Sequence, residues 1–576
     1  RVNRLLGKPE VIFSAFFLWG AINQFGLKSK EIIPLFWYWL IFMLFNLPQV
    51  ANIVESFFSK KLMLTERNIL GSIFSVQSKN TFLVKLFSVG QRSSVKLFDF
   101  VEFQYSMEEK DQVSRGLVFD IYWLNEEQWI KVLTNSEIEQ SLENIPKNAS
   151  LRLDVVYKMP KVKSSEYLKR FVGIVTENST IDRIRFVYNS NVKIMEGQLL
   201  QVNADEEIVL YQILEGVTKI EQLEKKNQFG YIIGEAIQLG TWNDKRCQFE
   251  QYGWVPAINS PVFIVKEIAE KALEKGELLV GCIPDTKYPV ILNMETAITH
   301  HMAILGVTGT GKSIFSRNLI RQYVAHGQAK IIIVDFTGEY ARAFSDFDTS
   351  SIISAADEMK IYEKFESINT ELEKFSNQQD KVKIKSNNDE ITSILNGALS
   401  AFITDEKRKI SIIELPDVSN TQNILEYTKR LFKELFKIAK SNRGKQGKIC
   451  IVLEEAHTVV PEWNFSGESN KASQNVLNSI AQIALQGRKY DVGLLVIAQR
   501  TANVSKTILT QCNTVISFQV YDKTSVDFLS NYFSAEMASV LPTLKFRRAI
   551  AAGKAFKSNV PMMFEVPYID EKQSAQ

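Results

Sequence analysis

Gly306-Val-Thr-Gly-Thr-Gly-Lys-Ser313 is the stretch with the most explicit chemistry. Glycines spaced ahead of a closing Lys-Ser pair let backbone N–H groups wrap an anion, because glycine tolerates the left-handed angles such a loop needs. Lys312 can reach the β- and γ-phosphates of a nucleotide, and the Ser313 hydroxyl can hold Mg²⁺. An apolar run, Met302-Ala-Ile-Leu305, precedes the loop, and a helical pattern from Ile314 to Val324 follows it. That helix turns its positive end toward the phosphates. The next apolar strand, Lys330-Ile-Ile-Ile-Val-Asp335, comes at the spacing of a strand–helix–strand unit.

A second cluster is Lys448-Ile-Cys-Ile-Val-Leu-Glu-Glu-Ala-His457. Its apolar run ends in two adjacent carboxylates. Glu454, at the strand end, would meet Mg²⁺ directly or through water, and Glu455 would polarise the water that attacks the γ-phosphate. A third is Gly487-Arg-Lys-Tyr-Asp-Val-Gly-Leu-Leu-Val-Ile-Ala-Gln-Arg500. Its strand ends at Gln499, an amide able to sense the γ-phosphate. Arg488 precedes that strand and is a candidate for transition-state charge on a neighbouring subunit's nucleotide, with Arg500 a weaker one. Asp335-Phe-Thr-Gly-Glu-Tyr340 closes another strand, with a Thr337-Gly338 turn set to position Glu339.

These residues need a scaffold. The apolar segments 302–305, 330–335, 410–415, 448–453, 493–498 and 515–520, with helical segments between several of them, predict a sheet covered on both faces. Residues 346–400 are polar and helical and predict an insertion projecting from that core. Residues 69–112 and 171–265 read as short strands separated by turns, the second stretch best fitted by a small barrel. A short helix is expected from Ser136, where Ser136-Glu-Ile-Glu139 has capping-box spacing, and another over 267–275. Residues 11–22 and 32–46 are very apolar, each at or below spanning length, and leave three readings: a short membrane hairpin, a buried helical pair or an oligomerisation arm. The division expected is an apolar helical segment at 1–60, a β-rich module at 61–165, a barrel at 166–265 and the core at 266–576.

Composition bounds the partners. Across 576 residues the net charge is only +3. A polyanion would therefore have to be held by a local patch or by a ring of subunits. Four scattered cysteines and four histidines without ligand spacing point to neither a disulfide framework nor a metal knuckle, and the simplest compartment is a reducing one.

Taken together, His301-Met-Ala-Ile-Leu-Gly-Val-Thr-Gly-Thr-Gly-Lys-Ser313, Asp335-Phe-Thr-Gly-Glu-Tyr340, Leu453-Glu-Glu-Ala-His457, Gly487-Arg-Lys489 and Ala498-Gln-Arg-Thr501 resemble the HerA-like branch of the HerA/FtsK superfamily. The resemblance is strong over about 290–567, weaker over 170–265, and does not reach 1–60. It implies an α/β, RecA-like P-loop ATPase core preceded by a small β-barrel and, in this chain, by the apolar helical segment. It implies that Gly306, Val307, Thr308, Gly309, Thr310, Gly311, Lys312, Ser313 and Ile314 bind ATP and that Ser313 and Glu454 hold Mg²⁺. Glu455 would be the catalytic base, Gln499 the sensor and Arg488 the finger supplied in trans, with Lys312 also acting in catalysis. Glu454 departs from the Asp commoner in P-loop ATPases and sets its carboxylate one methylene further out.

The function this implies is an ATP-driven translocase or helicase motor. It would form a homohexameric ring on double-stranded DNA, beside a nuclease or antiphage effector. Two alternatives stand: a membrane-associated secretion or conjugation ATPase, and a ring scaffold that activates an effector. The expected location is cytoplasmic, with membrane association through residues 1–60 if the apolar runs insert. Lys471, Arg488 and Lys489 are candidates for the pore or the subunit interface, and 467–475 for a polar loop near DNA.

Overall fold

The computed structural model describes the chain except residues 1–8, 27, 47–67, 79, 88–94, 97–98, 108–109, 125–126, 143–144, 147–150, 161–168, 189–192, 205–206, 221–229, 271, 327–328, 336–337, 415–420, 442–446, 463–483 and 569–576. Lys471, Thr337 and the loop 467–475 thus lie outside the described residues. Two compact units are present, residues 1–173 with 219–231 and residues 174–218 with 232–576.

The first unit opens with two helices, Pro9–Phe25 of 17 residues and Ile32–Asn46 of 15. The Trp39 indole N–H donates to Ser14 Oγ at 2.6 Å, and Phe13 meets Phe42 with ring centroids 5.6 Å apart. A bilayer core asks for about 20 apolar residues of helix. No helix among the described residues is long and apolar enough to cross a membrane. The membrane hairpin expected from these runs, and the location built on it, are therefore corrected.

Six strands follow as a closed barrel, in the order Ile69–Ser78, Thr81–Leu86, Glu127–Leu133, Lys110–Leu124, Phe100–Met107 and Val155–Lys158. Val84, Val101, Phe103, Val118, Ile130, Val132 and Val156 fill it. The helix expected here is Ser136–Ser141, but Asn135 caps it, its Oδ1 accepting from Ile138 N at 2.8 Å. Asparagine is as good a cap as serine, so the start lies one residue earlier than the Ser136 capping box implied. Arg115, 2 % exposed, donates to Glu102 and to the Leu142 and Ile145 carbonyls, so the buried guanidinium is satisfied by a strand carboxylate and by the backbone after the helix.

Seven strands, lying mostly in the second unit, run in the order Glu207–Ile220, Leu199–Ala204, Pro261–Ile264, Phe171–Val175, Arg183–Tyr188, Gly230–Asn243 and Gln248–Glu250, and pairing of the first with Gly230–Asn243 closes them. The buried Gln212 amide joins this barrel to the ATPase sheet. Its Nε2 donates to the Gly197 and Met563 carbonyls, and its Oε1 accepts from Met563 N at 2.8 Å. The segment 267–275 runs without regular structure among its described residues, where a helix was expected. Its charged residues, Glu267, Glu270, Glu274 and Lys275, leave too little apolar surface to anchor a helix face.

The large sheet has ten strands, in the order Pro289–Asn293, Glu277–Cys282, Met562–Glu565, Arg548–Gly553, Thr514–Ser517, Met302–Leu305, Val492–Ala498, Ile449–Leu453, Lys330–Asp335 and Ile410–Glu414. The last six are parallel to one another. Side chains of a strand alternate between faces, and the packing follows that rule. Ala303, Leu305, Ile332 and Val334 join one buried cluster, while Met302, Ile304, Ile331 and Ile333 join another. Helix Lys312–Ala325 covers the second face through Phe315, Leu319, Ile320 and Tyr323.

The insertion differs from expectation. Its helices, Ala355–Leu372 and Lys381–Thr404, send Ile361, Phe365, Ile368, Ile391, Leu395, Leu399 and Phe402 into the first cluster. Asn396 Nδ2 also donates to the buried Glu434 of helix Thr421–Ser441 at 3.1 Å. The hairpin is a covering layer of the sheet, because its few apolar residues recur at helical spacing and so share one face.

Candidate active site

The parallel strands end together, and their carboxyl edge gathers the chemistry. Leu305 pairs with Ala498, Leu453 with Val496, and Val334 with Leu453. The loop after Leu305, the Glu454-Glu455 pair and Gln499 are thereby brought side by side. Ligands in open α/β sheets bind at this edge.

The loop from Gly306 to Gly311 holds itself in shape. Gly306 N donates to the Ala498 carbonyl at 3.2 Å, and Val307 N to the Gln519 carbonyl at 2.9 Å. At Gly306, φ is +144°, and a Cβ would fall 2.7 Å from that of Phe518, so only glycine fits. Gly309 and Gly311 are also at positive φ. The buried Thr310 hydroxyl donates back to the Val307 carbonyl at 2.8 Å, while the exposed Thr308 hydroxyl donates to Gln499 Oε1 at 2.8 Å. Gly311 caps helix Lys312–Ala325, whose first turn contains the half-buried Ser313 and Ile314.

Lys312 is 2 % exposed, and its Nζ has no hydrogen-bond partner among the described residues. Burial holds its pKa below the ordinary lysine value, against the pull of Glu454, Glu455 and Glu339. A buried cation without a partner is costly, and the loop around it is built for an anion.

The two adjacent carboxylates are in different states. Glu454 is 6 % exposed, and burial pushes its pKa up to about 7, although Lys312 and the Tyr340 hydroxyl pull it down. Glu455 is half-buried and held below the ordinary range. Burial alone would raise it, but His457, Lys312 and Gln499 together outweigh that. Its backbone is left-handed, at φ +44° and ψ +51°, a conformation that costs a non-glycine residue about 1 kcal/mol. Gln499 Nε2 donates to Glu455 Oε1. His457 Nδ1 lies 3.2 Å from Oε2, and neither atom makes another polar contact among the described residues. Thr308, Gln499, Glu455 and His457 form one chain of contacts across three elements.

Arg488 lies elsewhere. It opens the short 3₁₀ turn Arg488–Tyr490 at the amino end of strand Val492–Ala498, exposed, and near enough to His300 and His301 to lower the pKa of both after burial has done so. That strand is 7 residues long, which puts roughly 20 Å between Arg488 and Gln499. Within one chain, Arg488 and the phosphate loop are on opposite edges of the sheet. Lys489 is exposed beside it, and Arg500 is exposed at the carboxyl edge, next to Gln499.

Three residues at this edge escaped the sequence reading. Tyr340, rather than Glu339, turns inward: its hydroxyl donates to Glu454 Oε2 at 2.7 Å, while Glu339 pairs with Arg317 at the surface. His457 lay inside a motif whose role was assigned to its carboxylates alone. Arg547, at φ +65°, donates its backbone N–H to the Thr310 carbonyl at 3.2 Å. Its approach depends on the neighbouring antiparallel strand, and no local pattern marks it.

Residues 274–537 match the family model described as the central domain of helicase HerA. A probable helicase of Methanocaldococcus jannaschii is 21 % identical over 487 residues, covering 70 % of this chain and 92 % of that protein. The DNA double-strand break repair helicase HerA of Saccharolobus solfataricus is 23 % identical over 367 residues, covering 52 % of this chain and 70 % of that protein. Among solved structures, VirB4 of Thermoanaerobacter pseudethanolicus is 12 % identical at a TM-score of 0.35, covering 52 % of this chain and 99 % of that one, an overlay too loose to carry weight. Fold and loop define a P-loop ATPase, an enzyme that hydrolyses ATP. Within that class, residues 274–537 form a P-loop ATPase core of the HerA/FtsK type.

Proposed function

We propose that the chain is an ATP-driven motor that works as a homohexameric ring translocating on double-stranded DNA. Each nucleotide would sit between subunits, with the phosphate loop of one and Arg488 of the next. The observation that carries this reading is the separation of Arg488 from Lys312 and Glu455 by the full height of the sheet. An arginine there can serve hydrolysis only on a neighbouring subunit's nucleotide. The names of two relatives, a probable helicase and a DNA double-strand break repair helicase, support the substrate class.

Gly306 to Ile314 would cradle the phosphates. The donor set, a Ser313 hydroxyl and the buried Glu454 carboxylate, suits Mg²⁺, and the unpaired Lys312 ammonium suits the phosphates. When bound, Mg²⁺ would neutralise phosphate charge. Glu455 would take the proton of the attacking water at Oε2, the oxygen that Gln499 does not engage, and Gln499 would move between Glu455 and the γ-phosphate. Pore-facing basic groups would grip DNA phosphates without reading bases, so binding should weaken with salt. The division at residues 60, 165 and 265, and a nuclease-like or other effector partner, belong to this proposal.

The test is ATP hydrolysis by size-defined assemblies, with and without linear duplex DNA. Strong stimulation in a hexamer supports the motor. A folded, nucleotide-binding ring that DNA leaves unchanged overturns it and favours the effector-activating scaffold, which copurification of a partner would identify.

A further inference from the structure

We infer that Tyr340 is a positioning residue that aims the Glu454 carboxylate at the divalent metal accompanying the nucleotide. This rests on the proposed reading of Glu454 as the metal-side carboxylate. The motif from Asp335 to Tyr340 has no other assigned task at this site.

Tyr340 is held from three directions. Its backbone is fixed by Asp335, 1 % exposed at the strand end, whose Oδ1 accepts from Gly338 N at 3.2 Å and whose Oδ2 accepts from Tyr340 N at 3.0 Å. Its ring is 1 % exposed, stacked on Phe344 at 5.8 Å and 14°, with the Arg317 guanidinium 5.9 Å from its centroid. Its hydroxyl donates to Glu454 Oε2 at 2.7 Å. The donor therefore keeps one position, set by packing that does not involve Glu454.

Glu454 needs such a donor. A glutamate carries one more rotatable bond than the aspartate commoner at this place, so its carboxylate is less well defined by the backbone. The Tyr340 bond engages one carboxylate oxygen and thereby restricts that extra torsion. Outer hydrogen bonds of this kind orient metal-binding carboxylates, and their loss costs about 10- to 100-fold in metal affinity.

The experiment uses the full chain and Mn²⁺ as the probe, with binding followed by electron paramagnetic resonance in the presence of a non-hydrolysable ATP analogue. Tyr340→Phe keeps the ring and removes only the donor. The expected result is Mn²⁺ affinity weakened about tenfold, with analogue affinity in EDTA and the melting temperature unchanged. Mn²⁺ affinity within twofold of the parent, while Glu454→Gln weakens it, overturns the role of Tyr340 and leaves Glu454 in place. If Glu454→Gln also leaves Mn²⁺ binding unchanged, the underlying reading of Glu454 falls, and the inference with it. A lower melting temperature in Tyr340→Phe with metal affinity intact makes Tyr340 a packing residue only.

Discussion

At the carboxyl edge of the parallel strands, Lys312 is buried without a partner, Glu454 is buried and pushed up to about 7, and Glu455 is held in a left-handed backbone. At the amino edge, the buried His301 is satisfied. Its Nε2 lies 2.6 Å from the Ala484 carbonyl and its Nδ1 accepts from Leu494 N at 3.0 Å, so it is neutral and tied to two elements. Burial keeps its pKa below the ordinary histidine value, in accord with that arrangement. Of the charged residues at this edge, Arg488 and Lys489 are exposed, while the buried Lys330 donates to the Phe402, Asp405 and Arg408 carbonyls. One edge concentrates unmet polar demand. The other meets its own demand and shows cations outward. Under the proposed function, the first edge is shaped for a ligand and the second faces a neighbouring subunit.

The largest test of that contrast is Arg488→Ala. Nucleotide binding per subunit should be unchanged, while hydrolysis in the assembled ring should fall by about 10³-fold or more, the scale for a finger supplied in trans. Full turnover in a confirmed ring would make the exposed arginine a surface charge and dissolve the contrast. Glu455→Gln, at the opposite edge, should keep nucleotide affinity and lose about 10²- to 10⁴-fold in turnover. Single-turnover kinetics check this, and an unchanged chemical step removes Glu455 from the role of base.

His301→Ala should act on stability alone. It strips the partner from a buried backbone N–H, at about 1–3 kcal/mol. Denaturant titration should show that loss while the affinity for ATP stays as in the parent. A selective loss of ATP affinity would mean that the two edges are coupled. A further effect is pH-dependent. With a folded value of about 7 against an ordinary 4.5, Glu454 binds its proton more tightly in the folded state. Its contribution is thus fully present below about pH 4.5 and is lost as pH rises through about 7. Metal-free Glu454→Gln should then match the parent at pH 4 and exceed it by about 3 kcal/mol at pH 8. Equal pH profiles would show that Glu454 is ionised in the fold at no cost.

Much of the carboxyl edge was legible because its signals are local. Glycines at 306, 309 and 311 sit at positive φ where the chain must wrap an anion, and Glu454-Glu455 end a run of apolar residues that can only be a buried strand. The alternating strands of both barrels were legible for the same reason. The apolar runs at 11–22 and 32–46 misled, because a helical pair that packs Phe13 on Phe42 and bonds Trp39 to Ser14 looks, by composition alone, like a membrane segment. The polar insertion misled the other way, since its apolar residues are few but share one face.

What the sequence by itself determined is therefore the phosphate loop and the paired carboxylates, each written within a dozen consecutive residues, and with them the class of chemistry and, from the spaced apolar segments, the α/β core. Only the tertiary structure decided that Tyr340 rather than Glu339 reaches Glu454, that Gln499 joins Thr308 to Glu455, that Arg547 backs the loop, and that Arg488 stands across the sheet from all of them. These relations depend on strand order, which brings residues 302–305 between 492–498 and 514–517. Strand order is set by burial of both sheet faces over the whole core, and no short stretch of sequence encodes it.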